Sequence, residues 1–398
     1  LKTVFLIFVS TLFVLSCHRG SNIETTSSLI ATVTSTEAAM VPSEETVGSG
    51  SNPQDDLAPK FVGISSWINS DPLTMDELRG KVVLIDFWTY TCINCLRTLP
   101  FLRDWYDKYS ANGLVIIGVH SPEFGFEKIR QNVIDATVVE GIKWPVAQDN
   151  NFDTWDAYSN NFWPAKYLID RDGYIRYRHF GEGSYDETEH QIRKLLVNVD
   201  PSVSTVTIKD YKKSIIDPRA HGKNPEIRMT RELYAGFERN HMQLLRGYEP
   251  PYVAHQEYFD GPNRDIEYQD PDEYINQFIY LNGLWRNELE SLSHARETEN
   301  YEDHIGIKFY GTSVNVVIGL NDGEPYAVRV MLDDRPIRPS EAGVDVMFDN
   351  QGNSFILVNE PRMYRVVDIS EFGGHRLNLS SNSSHFSVFA YTFGAFTK

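Results

Sequence analysis

The chain is short of cysteine: three occur in 398 residues, at positions 17, 92 and 95. So few exclude a framework of structural disulfides. Positive charge is scarce as well. There are 37 Lys and Arg against 55 Asp and Glu, a formal net charge of −18. A surface of that sign repels phosphate backbones and excludes nucleic acid as a partner, and it offers no general polybasic attraction to anionic lipid. Long hydrophobic runs are missing: the apolar stretch from Val4 to Leu15 is too short to anchor a chain comfortably across a bilayer. The 11 histidines are scattered singly, with no close His pair to complete a zinc site begun by two cysteines. No metal is expected.

What is present suffices for real cores, with 41% hydrophobic and 13% aromatic residues. The length predicts two or three domains. At the N-terminus, Lys2 precedes the apolar run, which has the shape of a secretory h-region. It ends in VLSC and resembles a bacterial lipobox. That resemblance implies cleavage before Cys17, lipidation of Cys17, and a signal over residues 1–17. Residues 18–56 are rich in Ser, Thr and Glu with no helical or strand period, and are expected to form a disordered tether.

From residue 57 the texture changes. KVVLIDFW (81–88) and LVIIGVHSP (114–122) read as apolar strands. CINCLRTLPFLRDWYDKYSANG reads as a helix from the first cysteine, interrupted at Pro100 and closed by Gly113. Residues 125–141 are helical by period. PAKYLIDRDGYIRYRHFG (164–181) reads as a hairpin around Asp172-Gly173, and 184–199 as a helix. The order β-α-β-α-β-β-α over 57–200, with wholly apolar strands, predicts an α/β domain whose sheet is covered on both faces. Residues 201–270 read as an irregular connecting segment with a short helix near 230–242. Residues 271–398 carry short strands separated by turns such as NDGE and DNQGN, which predicts an all-β, jelly-roll sandwich.

The chemistry centres on Cys92 and Cys95. Cys92 stands where an apolar strand becomes a helix, and unpaired amides with the helix dipole favour an anion there. In such motifs the first thiol commonly falls from ~8.5 to about 7 or lower. Cys95 lies one turn on and further inside. Cys92 is therefore the expected attacking thiol and Cys95 the resolving one. Asp86, six residues before Cys92 in an apolar strand, is costly to bury ionised. Its pKa should rise into a range suited to proton exchange with Cys95.

The segment DFWTYTCINCLRTLP, with Asp86, Cys92, Cys95 and Pro100, resembles the active-site segment of the thioredoxin fold. FWPAKYLIDRDG resembles that fold's later landmark, which implies a cis peptide at Trp163-Pro164 and a role for the Trp163 backbone in pairing with a substrate strand. WTYTCINC, GVHSPEF and FWPAKYLID are more specifically similar to the extracytoplasmic TlpA/ResA-type oxidoreductases. TRELYAGFERN, GLNDGEPYAVRVMLDDRP, EPRMYRVV and AYTFGAF resemble the sandwich that follows the thioredoxin-like domain in the soluble C-terminal part of DipZ proteins. The resemblance covers about residues 57–398. It implies a thioredoxin-like domain followed by a sandwich like a carbohydrate-binding module. The implied activity is a thiol-disulfide oxidoreductase that reduces or isomerises disulfides of exported proteins. Its redox centre would be the Cys92–Cys95 disulfide, with no other cofactor. A lipid anchor in the bacterial envelope, a separate CcdA-like electron donor and a glycan at the sandwich are the implied partners. Thr91 and Ile93-Asn94 depart from ordinary thioredoxin, so its potential does not carry over.

Around the site, Trp88 and Tyr90 are candidates for a substrate-docking surface, with core packing the competing reading for Trp88. His120 is a candidate proton donor or a hydrogen-bonded structural residue, and Glu123 a candidate for local electrostatics. Trp285, Tyr310, Tyr326, Phe389 and Tyr391 either line a sugar platform or fill the sandwich core. Two alternatives stay open: a thiol peroxidase, since GVHSPEF also resembles peroxiredoxin relatives, and a glycan- or protein-binding lipoprotein with an accessory redox domain.

Overall fold

A computed structural model describes residues 56–208, 216–224, 226–320 and 324–396. The signal with Cys17, and the tether up to residue 55, lie outside the described residues. Within 57–200 the chain forms β1 (Ser66–Ile68), β2 (Val82–Trp88), α1 (Ile93–Tyr109), β3 (Leu114–His120), α2 (Arg130–Val139), β4 (Val146–Gln148), α3 (Asp153–Ala157), β5 (Ala165–Ile169), β6 (Ile175–Phe180) and α4 (Tyr185–Leu196). The strands assemble in the order β1-β4-β3-β2-β5-β6. The β2, β3 and β4 neighbours run parallel, and β5 and β6 join antiparallel.

Every residue of β2 is buried, because both faces of the sheet are covered. Val82, Leu84 and Trp88 face a core shared with Cys95, Leu99, Leu102 and Trp105 of α1 and with Ile192 and Leu196 of α4. Val83, Ile85 and Phe87 point the other way, toward Trp155 of α3, Tyr158 and Tyr167. The period-2 alternation of a strand thus puts Asp86 on the α1 face. Pro100 lies inside α1, which runs on without interruption to Tyr109; the expected break there is corrected. Gly113 closes the helix end at φ 100°, a left-handed conformation that suits glycine. The region 125–141 divides into a 3-10 turn at Gly125–Lys128 and α2.

The second sheet comprises β7 (Leu233–Tyr234), β8 (Asp265–Tyr268), β9 (Ile279–Asn287), β10 (Leu292–His294), β11 (His304–Leu320), β12 (Tyr326–Leu332), β13 (Arg335–Pro336), β14 (Val346–Phe348), β15 (Ser354–Val358), β16 (Arg362–Ser381) and β17 (Phe386–Gly394). It is a large antiparallel sheet, ordered β14-β15-β12-β16-β11-β17-β10-β9-β8, with β7 on β17 and β13 on β12. β11 pairs with β9 through its first residues and with β17 through its last, with register shifts between. That bend wraps the sheet around one apolar interior, as a β-sandwich requires. The segment 201–270 contributes β7, β8 and the helix α5 (Phe237–Arg246). Trp285, Tyr326, Phe389 and Tyr391 are buried. Trp285, Tyr326 and Tyr391 fill the interior, and Phe389 packs against Phe124 of the first domain, so none of the four faces outward as a sugar platform.

Candidate functional site: a dithiol at a domain boundary

Cys92 caps the N-terminus of α1. Its backbone is extended, and its sulfur accepts the amide N–H of Cys95 at 3.3 Å. This arrangement follows from the strand-to-helix junction, where the first helical amides have no carbonyl partner of their own. Cys92 is half-buried and Cys95 buried, and both are free thiols. Burial pushes the Cys95 thiol well up, and the neighbouring Cys92 and the charge of Asp86 add to the rise. The pair is therefore asymmetric, with an accessible sulfur at the cap and a buried, proton-holding one behind it.

Asp86 is 2% exposed. Burial pushes its carboxyl up to about 6 against the counteracting charge of Lys166. Lys166 is directly opposite in the β2–β5 register, fully buried, with Nζ 3.7 Å from Asp86 Oδ1. That separation is an ion pair too long for a hydrogen bond. Burial lowers the Lys166 ammonium, while Asp86 and Cys95 both pull it back up. Asp86, Lys166 and Cys95 thus form one electrostatic cluster. A buried carboxyl that titrates near neutrality beside a thiol is suited to taking the thiol's proton.

The peptide Trp163-Pro164 is cis. Trp163 Nε1 donates to the Ser121 carbonyl at 3.2 Å. Cys92 and Trp163 border a cavity of about 80 Å³. Its opposite wall comes from the second sheet, through Glu232, Tyr234, Val317 and Thr392. Glu123 lies at the same boundary and accepts from the Tyr234 hydroxyl at 3.0 Å and from Arg239 at 2.9 Å. Ile93, inside the CxxC, packs in a cluster with Phe124, Val317, Met363 and Phe389. The dithiol site is therefore built by both halves of the chain.

Other expected site residues are placed differently. Trp88 is 1% and Tyr90 6% exposed. His120 crosses Trp88 edge-on and stacks on Tyr90 at 5.7 Å; burial makes Trp88 a core residue, while Tyr90 borders a cavity of about 350 Å³ beside Pro361. Burial pushes the His120 imidazole down to about 3, so it is neutral near pH 7 and has no extra proton to give. Two residues escaped the sequence reading. Lys166 alternates with apolar neighbours in AKYLI and carries no motif. Glu127 is fully buried and accepts from Thr89 Oγ1 at 2.5 Å and from Thr91 Oγ1 at 2.7 Å. Only the fold brings it beneath the residue that precedes Cys92.

The fold is thioredoxin-like, and it carries a CxxC dithiol at the head of α1. Comparison with known proteins agrees. Residues 53–196 match the Redoxin family, and residues 249–394 match the family described as Thioredoxin like C-terminal domain. The chain is 35% identical over 278 residues to Protein DipZ of Mycobacterium tuberculosis, covering 67% of this chain and 37% of that protein. It is 26% identical over 143 residues to the thiol-disulfide oxidoreductase YkuV of Bacillus subtilis, covering 36% of this chain and 95% of YkuV. To the thiol-disulfide oxidoreductase ResA of Bacillus thuringiensis it is 28% identical over 138 residues, covering 35% of this chain and 76% of ResA. The chain spans little more than a third of the length of the DipZ protein it matches.

Proposed function

We propose that the protein reduces or isomerises disulfides of exported proteins. The observation that carries this reading is the asymmetry of the CxxC, with a half-buried Cys92 at a helix cap and a buried Cys95 beside Asp86. The Cys92 thiolate attacks one sulfur of a substrate disulfide, and the other sulfur leaves as a thiolate and takes a proton. Cys95 passes its proton to Asp86, and its sulfur attacks Cys92. The second substrate thiol departs, two electrons have moved to the substrate, and a Cys92–Cys95 disulfide remains. A thiol donor must then reduce that disulfide; a CcdA-like membrane electron channel is the proposed source.

The lipobox-like VLSC supports attachment to the envelope through lipid on Cys17. We read residues 57–200 as the thioredoxin-like domain and 271–398 as the sandwich, which takes part in substrate recognition. The test is reduction of insulin by dithiothreitol-primed protein, together with trapping by a Cys95→Ser variant. A Cys92-linked mixed disulfide that accumulates only in that variant supports the reading. Insulin reduction that survives Cys92→Ser would overturn it. Full peroxide turnover by Cys95→Ser would favour the peroxidase instead.

A further inference from the structure

The loop between β3 and α2 is held from two sides. From within the first domain it is held by one carboxylate. Glu127 Oε1 accepts from the hydroxyls of Thr89 and Thr91 and from the Thr91 amide at 3.3 Å, while Oε2 accepts the amides of Glu123 and Phe124. Among the described residues no cation pairs with it. Burial pushes its carboxyl up to about 7, and the donors from Thr89, Thr91 and Phe124 pull against that rise by replacing lost water; five donors converge on it in all. Three of them belong to the stretch that ends at Cys92. From the second domain, the same loop is held through Glu123 by Tyr234 and Arg239. Its Gly125 amide donates to Glu290 at 2.8 Å.

Glu127 is therefore a shared acceptor between the backbone that sets Cys92 and the loop that the sandwich grips. A glutamine would not replace it. An amide has one acceptor oxygen, and whichever way it turns, its NH2 would face at least one backbone N–H that can only donate, that of Thr91 on one side or those of Glu123 and Phe124 on the other. We propose that Glu127 is a positioning residue that makes the reactivity and redox equilibrium of Cys92–Cys95 depend on the sandwich's hold on this loop. The inference rests on the dithiol reading above and adds regulation of that same site. Anything that loosens Tyr234, Arg239 or Glu290 from the loop shifts Thr91, and with it the sulfur at the helix cap.

The test uses the full chain. Two quantities are measured, the rate at which iodoacetamide alkylates Cys92 in the reduced protein and the equilibrium constant of the couple against glutathione. Glu127→Gln should shift the equilibrium by about tenfold, which is about 30 mV for a two-electron couple. The alkylation rate should move by a similar factor. Arg239→Ala/Glu290→Ala removes two polar holds of the sandwich on the loop and lies outside the cluster around Ile93. It should shift both readings several-fold, and combining it with Glu127→Gln should add nothing further, because the relay is already cut. If Glu127→Gln does not fold, Thr91→Val removes one grip on the carboxylate and should move both readings in the same direction. Unchanged readings in the Arg239/Glu290 variant, or effects that multiply in the combination, would overturn the relay while leaving the dithiol reading intact. A wild-type couple that fails to equilibrate with glutathione would instead overturn the dithiol reading on which it rests.

Discussion

Among single residues, the sharpest consequences concern Asp86 and His120. Asp86 accepts the Cys95 proton only when ionised, so resolution of a mixed disulfide should slow as pH falls through about 6. Asp86→Asn removes the acceptor and should slow that step on the order of 10²-fold or more, seen in stopped-flow traces as a persisting mixed disulfide; unchanged resolution would remove Asp86 from the mechanism. His120 makes a stability prediction. Its folded pKa, about 3, lies below the ordinary 6.5. Between those values the unfolded chain binds a proton that the folded chain does not, so stability rises with pH across that window. The contribution is whole above 6.5 and is lost as pH falls toward 3. His120→Gln should therefore show a shallower loss of stability than wild type between pH 6.5 and 4.5, as read from urea midpoints.

The elements show how far local pattern reaches. The βαβ order, the hairpin at Gly173 and the cap at Cys92 follow from apolar runs and turn residues that act over a few positions. β11 and β16 do not. IGIKFYG and SVNVVIGL read as separate short strands, as do MYRVVDI and HRLNLSS, yet each pair is one long strand. Their glycines face one another, with Gly311 opposite Gly373. A Cβ on Gly374 would come within 2.6 Å of the Tyr310 ring. These glycines mark close approach rather than a turn, and only the cross-strand register reveals it. The same applies in the site. Cys92, Cys95 and Asp86 stand near one another in sequence and were legible, whereas Lys166 and Glu127 reach them through strand pairing and a loop. Gly118, beside Asp86 on β3, offers a test of this crowding. A Cβ there would lie 2.8 Å from Trp88 Nε1, so Gly118→Ala should cost about 1–3 kcal/mol of stability, measured by denaturant unfolding.

Over the whole molecule, the two sheets meet through a small apolar cluster. Phe389 of β17 crosses Phe124 at 5.2 Å and Phe126 at 5.0 Å, both edge-on. Phe389 is 7% exposed, and truncating so buried a ring costs about 3–5 kcal/mol. That loss falls on the contact between the halves more than on either core. Phe389→Ala should therefore split a single calorimetric unfolding transition into two, with the thioredoxin-like half and the sandwich melting apart. One transition at an unchanged temperature would show that the cluster does not join them.

The wall that the second sheet raises opposite Cys92 also governs how copies of the protein treat one another. A half-buried Cys92 whose cavity is shared with Tyr234 and Val317 should meet an extended substrate segment more readily than the equally enclosed sulfur of a second copy. Crowding many copies on one surface should then leave their thiols mutually inert. When a concentrated sample is oxidised with diamide, the bond that forms should close within each chain. Non-reducing electrophoresis should show monomers, with dimers appearing only as the wall is removed.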